Sequence, residues 1–298
     1  MRTRYVERNL DGAQSAGQSF SQTRRWWDTA GIAFGVLVFF VLTLAFTASQ
    51  FGWLPYDPDQ ADLDLILAPL GSPGHILGTD FFGRDLATRL IVGVNAYFLP
   101  ALGAVAVSLT IGATLGLAAG FRGGPVGLAT HYTCTLVEAI PRLLLVLFAV
   151  TVYQPDIYHI MLIIGLTGFP GLATRLRLRI RHLREQSFFE SALASGVSLQ
   201  TILFKHLLWH HCRPLFLIHA SQAMGEAILF ETSLSYLGFG VQEPTPSWGN
   251  MVQTGSDYLL QGNFWPSTLP AAAIAITLIA FYLFADAFER RAQDRQNP

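Results

Sequence analysis

Three groups of side chains in this 298-residue chain have types and spacing suited to chemistry. His206, His210, His211 and His219 invite a metal reading, and His206 and His210 stand four apart, as two ligands on one helix can. No Glu completes an HExxH pattern, so exposed or interfacial histidines are the favoured reading. Glu138 and Arg142, then Glu226 and Glu231, are ionisable residues inside apolar stretches. A charge at mid-bilayer costs about 2.5–3.5 kcal/mol on insertion scales, so such residues either pair or have a task. Asp80, Arg84 and Asp85 form a third cluster, read locally as a capping network with Asp80 at a helix N-terminus and Arg84 paired to an acid. A nucleophilic site is absent from the pattern. GxSxG does not occur, no His follows His219, and Cys134 and Cys212 form no CxxC pair.

The elements that must position these residues follow from composition. Hydrophobic residues make up 51% and charged residues 13%, against roughly 25% charged in an average soluble protein. Mean hydropathy is +0.40, and the net charge of −1 gives no reason to expect a nucleic-acid partner. The chain therefore reads as all-α and polytopic in a lipid bilayer, with six spans. A polar tail, 1–28, has few apolar residues and is expected to be loose. The first span covers 29–50, too long and too far from the N-terminus for a secretory h-region. An acidic outer loop, 51–89, contains four prolines that disfavour a long helix. The core, 90–285, holds spans at about 90–121, 128–152, 157–173, 214–237 and 265–285, with Trp265 and Tyr282 placed as interface anchors. Between them lie a loop at 174–213 and an outer loop at 238–264, and a short tail, 286–298, ends the chain. Ala, Gly, Ser and Thr enrich the second span, as close helix contacts in lipid require.

Charge placement orients these spans. Of 18 Arg and one Lys, only Arg84 and Arg89 fall on the side opposite the termini, and Arg142 falls within a span. Both termini are therefore expected to be cytoplasmic. The single Lys205 also excludes a P-loop, which needs a Lys after its glycine-rich turn. Any ATP must be bound by another chain.

The loop 174–213 is rich in detail. Leu176, Ile180 and Leu183 recur at helical spacing between arginines, which predicts an amphipathic helix continuing from the fourth span. Gly196 breaks that pattern, and Ser198 is positioned to cap a second helix. An apolar surface projecting here serves a partner or lies on headgroups.

At this loop the chain resembles a known family. FESALASGVS at 189–198 resembles the EAA loop of ATP-binding-cassette importer permeases, with Glu190, Ser191, Ala192, Ala194 and Gly196 on the motif and Leu203 and Leu207 beyond it. GTDFFGRD at 78–85 is similar to the signature of the dipeptide, oligopeptide and nickel branch, in its C-type permease subunit; it comprises Gly78, Thr79, Asp80, Gly83, Arg84 and Asp85. FETSLSYLGFGVQEPTPSWGNM at 230–251 is similar to the same branch.

The resemblance implies a type I importer permease fold and a bacterial inner-membrane location. It implies a subunit that is not an enzyme and carries no cofactor, with ATP and magnesium held by two partner ATPases. It implies a second permease subunit and an extracytoplasmic solute-binding protein. The EAA loop would couple to the ATPases, and the 78–85 signature would order the start of the second span or meet the binding protein. Peptides are the implied solutes, with nickel complexes also compatible. Glu226 and Glu231 are then candidate pathway residues, about 140° apart around a helix and so on different faces. Glu138 and Arg142 are read first as a structural pair near the cytoplasmic interface, with Arg142 snorkelling, and second as a polar wall of the path; Pro141 between them is expected to kink the helix. The rival classes are an intramembrane enzyme and an uncoupled channel.

Overall fold

A computed structural model describes residues 2–152, 156–198, 201, 202, 208 and 211–294. Among these, structure is helical, joined by turns and isolated bridges. Helix α1 spans Arg2–Gln50, so the N-terminal segment expected to be loose is helical. Helix α2 is Leu86–Gly93, α3 Phe98–Arg122, α4 Gly124–Ala139, α5 Arg142–Val152 and α6 Ile157–Gly168. Helix α7 is Pro170–Arg184, α8 Ser187–Ala194, α9 Arg213–Tyr236, α10 Trp248–Ser256 and α11 Trp265–Asp294.

Four stretches are long and apolar enough to cross a bilayer: Trp26–Gln50, Leu86–Arg122, Ile157–Arg184 and Trp265–Gln293. A fifth is the pair α4 and α5, bent by 69° at its break. The break falls at Ile140–Pro141, where Ile140 is extended and proline removes a helical donor. The predicted fifth span is present as α9, but Gln222, Glu226 and Glu231 along it make it too polar to count by composition. Among the described residues, length and composition alone therefore mark four crossings, or five with the bent pair, and α9 occupies the place of the remaining expected span.

Small residues set how closely the helices pack. Gly112, Gly116 and Gly120 line one face of α3 against α7, where a Cβ on Gly116 would lie 2.8 Å from the Ala173 carbonyl oxygen. A Cβ on Gly120 would lie 2.8 Å from that of Arg177. Gly31 and Gly35 play the same part on α1, against Leu283 and Phe284 of α11. Without a hydrophobic force between helices in lipid, this backbone proximity supplies the dispersion contacts that hold them. At one end of the α1–α11 pair, buried Asp28 faces Arg290 at 3.5 Å and Arg291 donates to Thr29 at 2.8 Å. The start of the first span and the end of the last thus adjoin.

The main core joins residues of α1, α3, α6, α9 and α11, including Leu42, Tyr97, Val105, Met161, Met224 and Phe281. Trp265, expected at a membrane interface, is instead buried, and its indole N–H donates to the Thr79 carbonyl at 3.2 Å. Tyr282 is exposed, as an anchor would be.

Candidate functional site

The chain has two distinctive regions, one near each end of α3, whose 25 residues span about 37 Å.

The first is an ionic knot formed by the 78–85 segment. Asp80 shapes its turn, accepting from the backbone N–H of Phe82 at 2.8 Å and of Arg84 at 3.0 Å. Its other oxygen receives the Arg84 Nε at 2.7 Å. Asp85, not Asp80, caps the helix that follows, accepting from Thr88 N–H at 2.7 Å, because the helical backbone begins only at Leu86. The second Asp85 oxygen contacts His75 Nδ1 at 2.8 Å. Thr79 fastens the signature to the 65–68 stretch, its hydroxyl receiving Ala68 N–H at 2.9 Å and donating to the Leu65 carbonyl. Gly83, at φ +75°, is required twice over: its backbone is left-handed, and a Cβ would run into the Asp62 carbonyl. Gly78 meets the same double demand against Ala68. All six residues of the predicted signature therefore belong to one compact structure.

The knot also reaches across the chain. Glu243 accepts from Arg84 Nη1 at 3.0 Å and from Arg89 Nη2 at 3.0 and 3.1 Å. Arg89 Nη1 donates to the carbonyls of Pro58 and Pro244, at 3.1 and 3.3 Å. The Arg89 side chain is 1% exposed, and charges buried this far from water persist only when paired and hydrogen-bonded. The indole N–H of Trp248 donates to Leu90 O at 2.9 Å. A capping box between Ser247 and Asn250 starts α10 just after the Glu243–Pro244 turn. Sequence reasoning missed Arg89, Glu243 and His75 as members. One signal was available: Arg84 and Arg89 are the two basic residues that charge placement leaves outside, and both are spent in the knot.

The second region is the loop between α7 and α9. Leu176, Ile180 and Leu183 of α7 are buried, as their spacing predicts, and cluster with Phe189, Ile202 and Cys212. Phe189 anchors α8 to this cluster, while Ser191 and Ala194 face outward. The predicted motif residues Glu190 and Ala192 lie on the same helix by backbone position. Gly196 follows at φ +77°, with nothing within 4 Å of where a Cβ would stand. Such a left-handed residue ends a helix at low cost only when it is glycine. Ser198 then accepts from Thr201 N–H at 3.3 Å, the predicted capping contact. Leu203, Leu207, Lys205, His206 and His210 lie outside the described residues. Burial pushes the Cys212 thiol up to about 11, with nearby Arg179 pulling the other way.

The remaining ionisable residues divide as follows. Glu231 is fully buried on α9 and accepts from Ser235 Oγ at 2.7 Å. Glu226 is on the exposed side of the same helix, so the two acids point apart, as their spacing requires. Glu226 pairs with Arg142 Nη1 at 2.5 Å. The expected Glu138–Arg142 pair does not form among the described residues, because the break at Pro141 destroys the i, i+4 geometry between them. His219 is buried rather than interfacial, with Nε2 2.9 Å from Ser108 Oγ. Among the described residues no three His, Cys, Asp or Glu side chains gather as a metal site.

Comparison with known proteins identifies the family. Residues 112–295 match the family described as "Binding-protein-dependent transport system inner membrane component". A probable D,D-dipeptide transport system permease protein of Escherichia coli is 32% identical over 252 residues, 84% of this chain and 82% of the relative. A di/tripeptide transport system permease protein of Pseudomonas aeruginosa is 30% identical over 274 residues, 89% of this chain and 90% of its own length. An oligopeptide transport system permease protein of Haemophilus influenzae is 29% identical, covering 94% of this chain and 90% of its own. The chain belongs to the family of inner-membrane permease components of binding-protein-dependent transport systems, the C-type permeases of ATP-binding-cassette transporters.

Proposed function

We propose that this chain is one of two different permease subunits in an importer for short peptides, forming half of the translocation path. In this reading six helices cross the membrane in the type I importer arrangement, with polar α9 as the fifth. Its path-facing polar groups would be shielded from lipid by the second permease. Both termini lie in the cytoplasm, in keeping with the arginine distribution and with the adjoining ends of α1 and α11. Two partner ATPases bind and hydrolyse ATP, and an extracytoplasmic binding protein delivers the solute. Peptides rather than nickel complexes are favoured, because the relatives quoted above carry peptide names.

The observation that carries the coupling role is the placement of α8. It is short, anchored through Phe189 on the apolar cluster at the end of α3 and α7, and followed by an exposed left-handed glycine. A rigid helix fixed at one side and bare on the other can transmit a push from a docked ATPase into α7 and α3, which are locked together by their glycine contacts. The ionic knot performs the opposite task outside. It welds the 51–85 loop to the 237–247 segment, giving a stiff outer surface for the binding protein.

The test is uptake. Membranes containing this chain, its neighbouring permease, two ATPases and the binding protein should accumulate a labelled dipeptide only with hydrolysable ATP. Equal accumulation without ATP, or without the ATPases, would instead support an uncoupled channel.

A further inference from the structure

Glu226 stands thirteen residues after the start of α9, about 20 Å along its axis. This is mid-membrane depth in the six-span reading. Its partner Arg142 is the first residue of α5, directly after the 69° break. The pair is not sequestered: the side chains are 26% and 48% exposed. Ile140, the extended residue at the break, is also exposed. Non-helical backbone and charge at this depth are tolerated where they line a water-filled cavity or lie within protein, not against lipid. One turn before Glu226 on the same face of α9, Gln222 Oε1 accepts from Arg175 Nη2 at 2.9 Å. Two arginines, from α5 and α7, thus present guanidinium groups along one polar strip of α9. Exposed residues elsewhere on α4, α5 and α9, Leu136, Leu144, Phe148 and Leu229, are apolar.

This arrangement matches one class of ligand. Every unmodified peptide carries an ammonium group and a carboxylate, whatever its side chains. Arg142 and Glu226 already neutralise each other, so a lone ion gains little by displacing either. A zwitterion can replace both partners without leaving an unpaired charge in a low-dielectric site. We propose that Arg142 and Glu226 form a charge-exchange subsite of the path. There a peptide carboxylate takes the place of Glu226 on Arg142, and a peptide ammonium takes the place of Arg142 on Glu226. The inference rests on the peptide-importer reading and names the feature of the substrate that this subunit reads. Arg175, one turn away, offers a second position for a carboxylate as the peptide advances.

The experiment uses the complete complex in proteoliposomes, with labelled dialanine and saturating binding protein, comparing the native chain with Arg142→Met/Glu226→Gln. If the pair only braces the bent span, replacing both charges with neutral side chains of similar size leaves uptake near native, since removing both partners of an ion pair leaves no unpaired charge and costs little. If it is a charge-exchange subsite, uptake falls at least tenfold while the complex still purifies intact and still hydrolyses ATP. Near-native uptake by the double variant overturns the proposal. Should that variant not assemble, Glu226→Gln is measured for uptake and thermal midpoint together: at least a tenfold loss of uptake at an unchanged midpoint supports the subsite, and near-native uptake, or a loss that comes with a lowered midpoint, overturns it. Absence of dialanine uptake by the native complex is a different result, which removes the peptide-importer reading itself.

Discussion

Arg89 and Glu243 lie 154 positions apart in the chain, yet the guanidinium, 1% exposed, donates to both carboxylate oxygens at 3.0 and 3.1 Å. The same carboxylate receives Arg84, so this acid, with Asp80, bridges two buried cations and joins two segments distant in the chain. Removing it leaves both guanidinium groups short of a partner.

Glu243→Ala should therefore destabilise the knot by about 3 kcal/mol, the lower end of the range for breaking a buried pair, because Glu243 is itself partly exposed. Tryptophan fluorescence during heating in detergent checks this, since Trp248 and Trp265 both bond to backbone of the knot or of the helix beside it. An unchanged midpoint would show that water screens the pair.

Gly116→Ala and Gly103→Ala should differ in sign. A Cβ at Gly116 meets the Ala173 carbonyl oxygen at 2.8 Å and forces α3 from α7, costing about 1–3 kcal/mol as overpacking. Gly103, on the same helix, has nothing within 4 Å, and alanine there gains roughly 0.5–1 kcal/mol of helix preference. Thermal midpoints of the two variants, each against the native chain, read the difference.

Gly196→Trp tests the coupling loop. Among the described residues no atom lies within 4 Å of where a Cβ would stand, so the first side-chain atom meets no clash. The left-handed backbone costs about 1–2 kcal/mol locally for a residue with a Cβ. The complex should still purify with its ATPases, while ATP-dependent uptake is lost. Normal uptake would remove the coupling role assigned to this turn.

Cys212 gives a pH prediction. An ordinary thiol near 8.5 becomes largely thiolate between pH 7 and pH 9 and alkylates faster across that window. With the folded-state value raised to about 11, Cys212 stays protonated throughout. It is also fully buried. Iodoacetamide labelling of its peptide, followed by mass spectrometry, should stay low and flat from pH 7 to 9 in the native protein. In denaturant it should rise with pH. Because this folded value lies above the unfolded one, the thiol's contribution to stability is constant below about pH 8.5. It diminishes as pH rises from there toward 11.

Much of the architecture was legible in the chain itself. Long uncharged stretches are necessary for helices in lipid, so the first, second, fourth and sixth spans can be read directly. The buried stripe Leu176, Ile180 and Leu183 followed from its helical spacing, and the turn at Gly196 from its break. Pro141 announced a bend, because a ring in place of an N–H interrupts any helix.

The pairings were not legible, because they depend on which residues far apart in sequence the packed helices bring together. Four-residue spacing joined Arg142 to Glu138. The bend at Pro141 turned it to Glu226 on another helix instead. Amphipathic character placed Trp265 at the interface, yet the fold buried it against Thr79. Two acids marked α9 as an unusually polar span, and only packing shows Glu231 enclosed and Glu226 open on different sides of it. Local sequence determines whether a segment can live in a bilayer and where its helix must stop. Which charges neutralise one another is decided by tertiary structure, because a buried charge must find its partner across whatever distance along the chain the fold has closed.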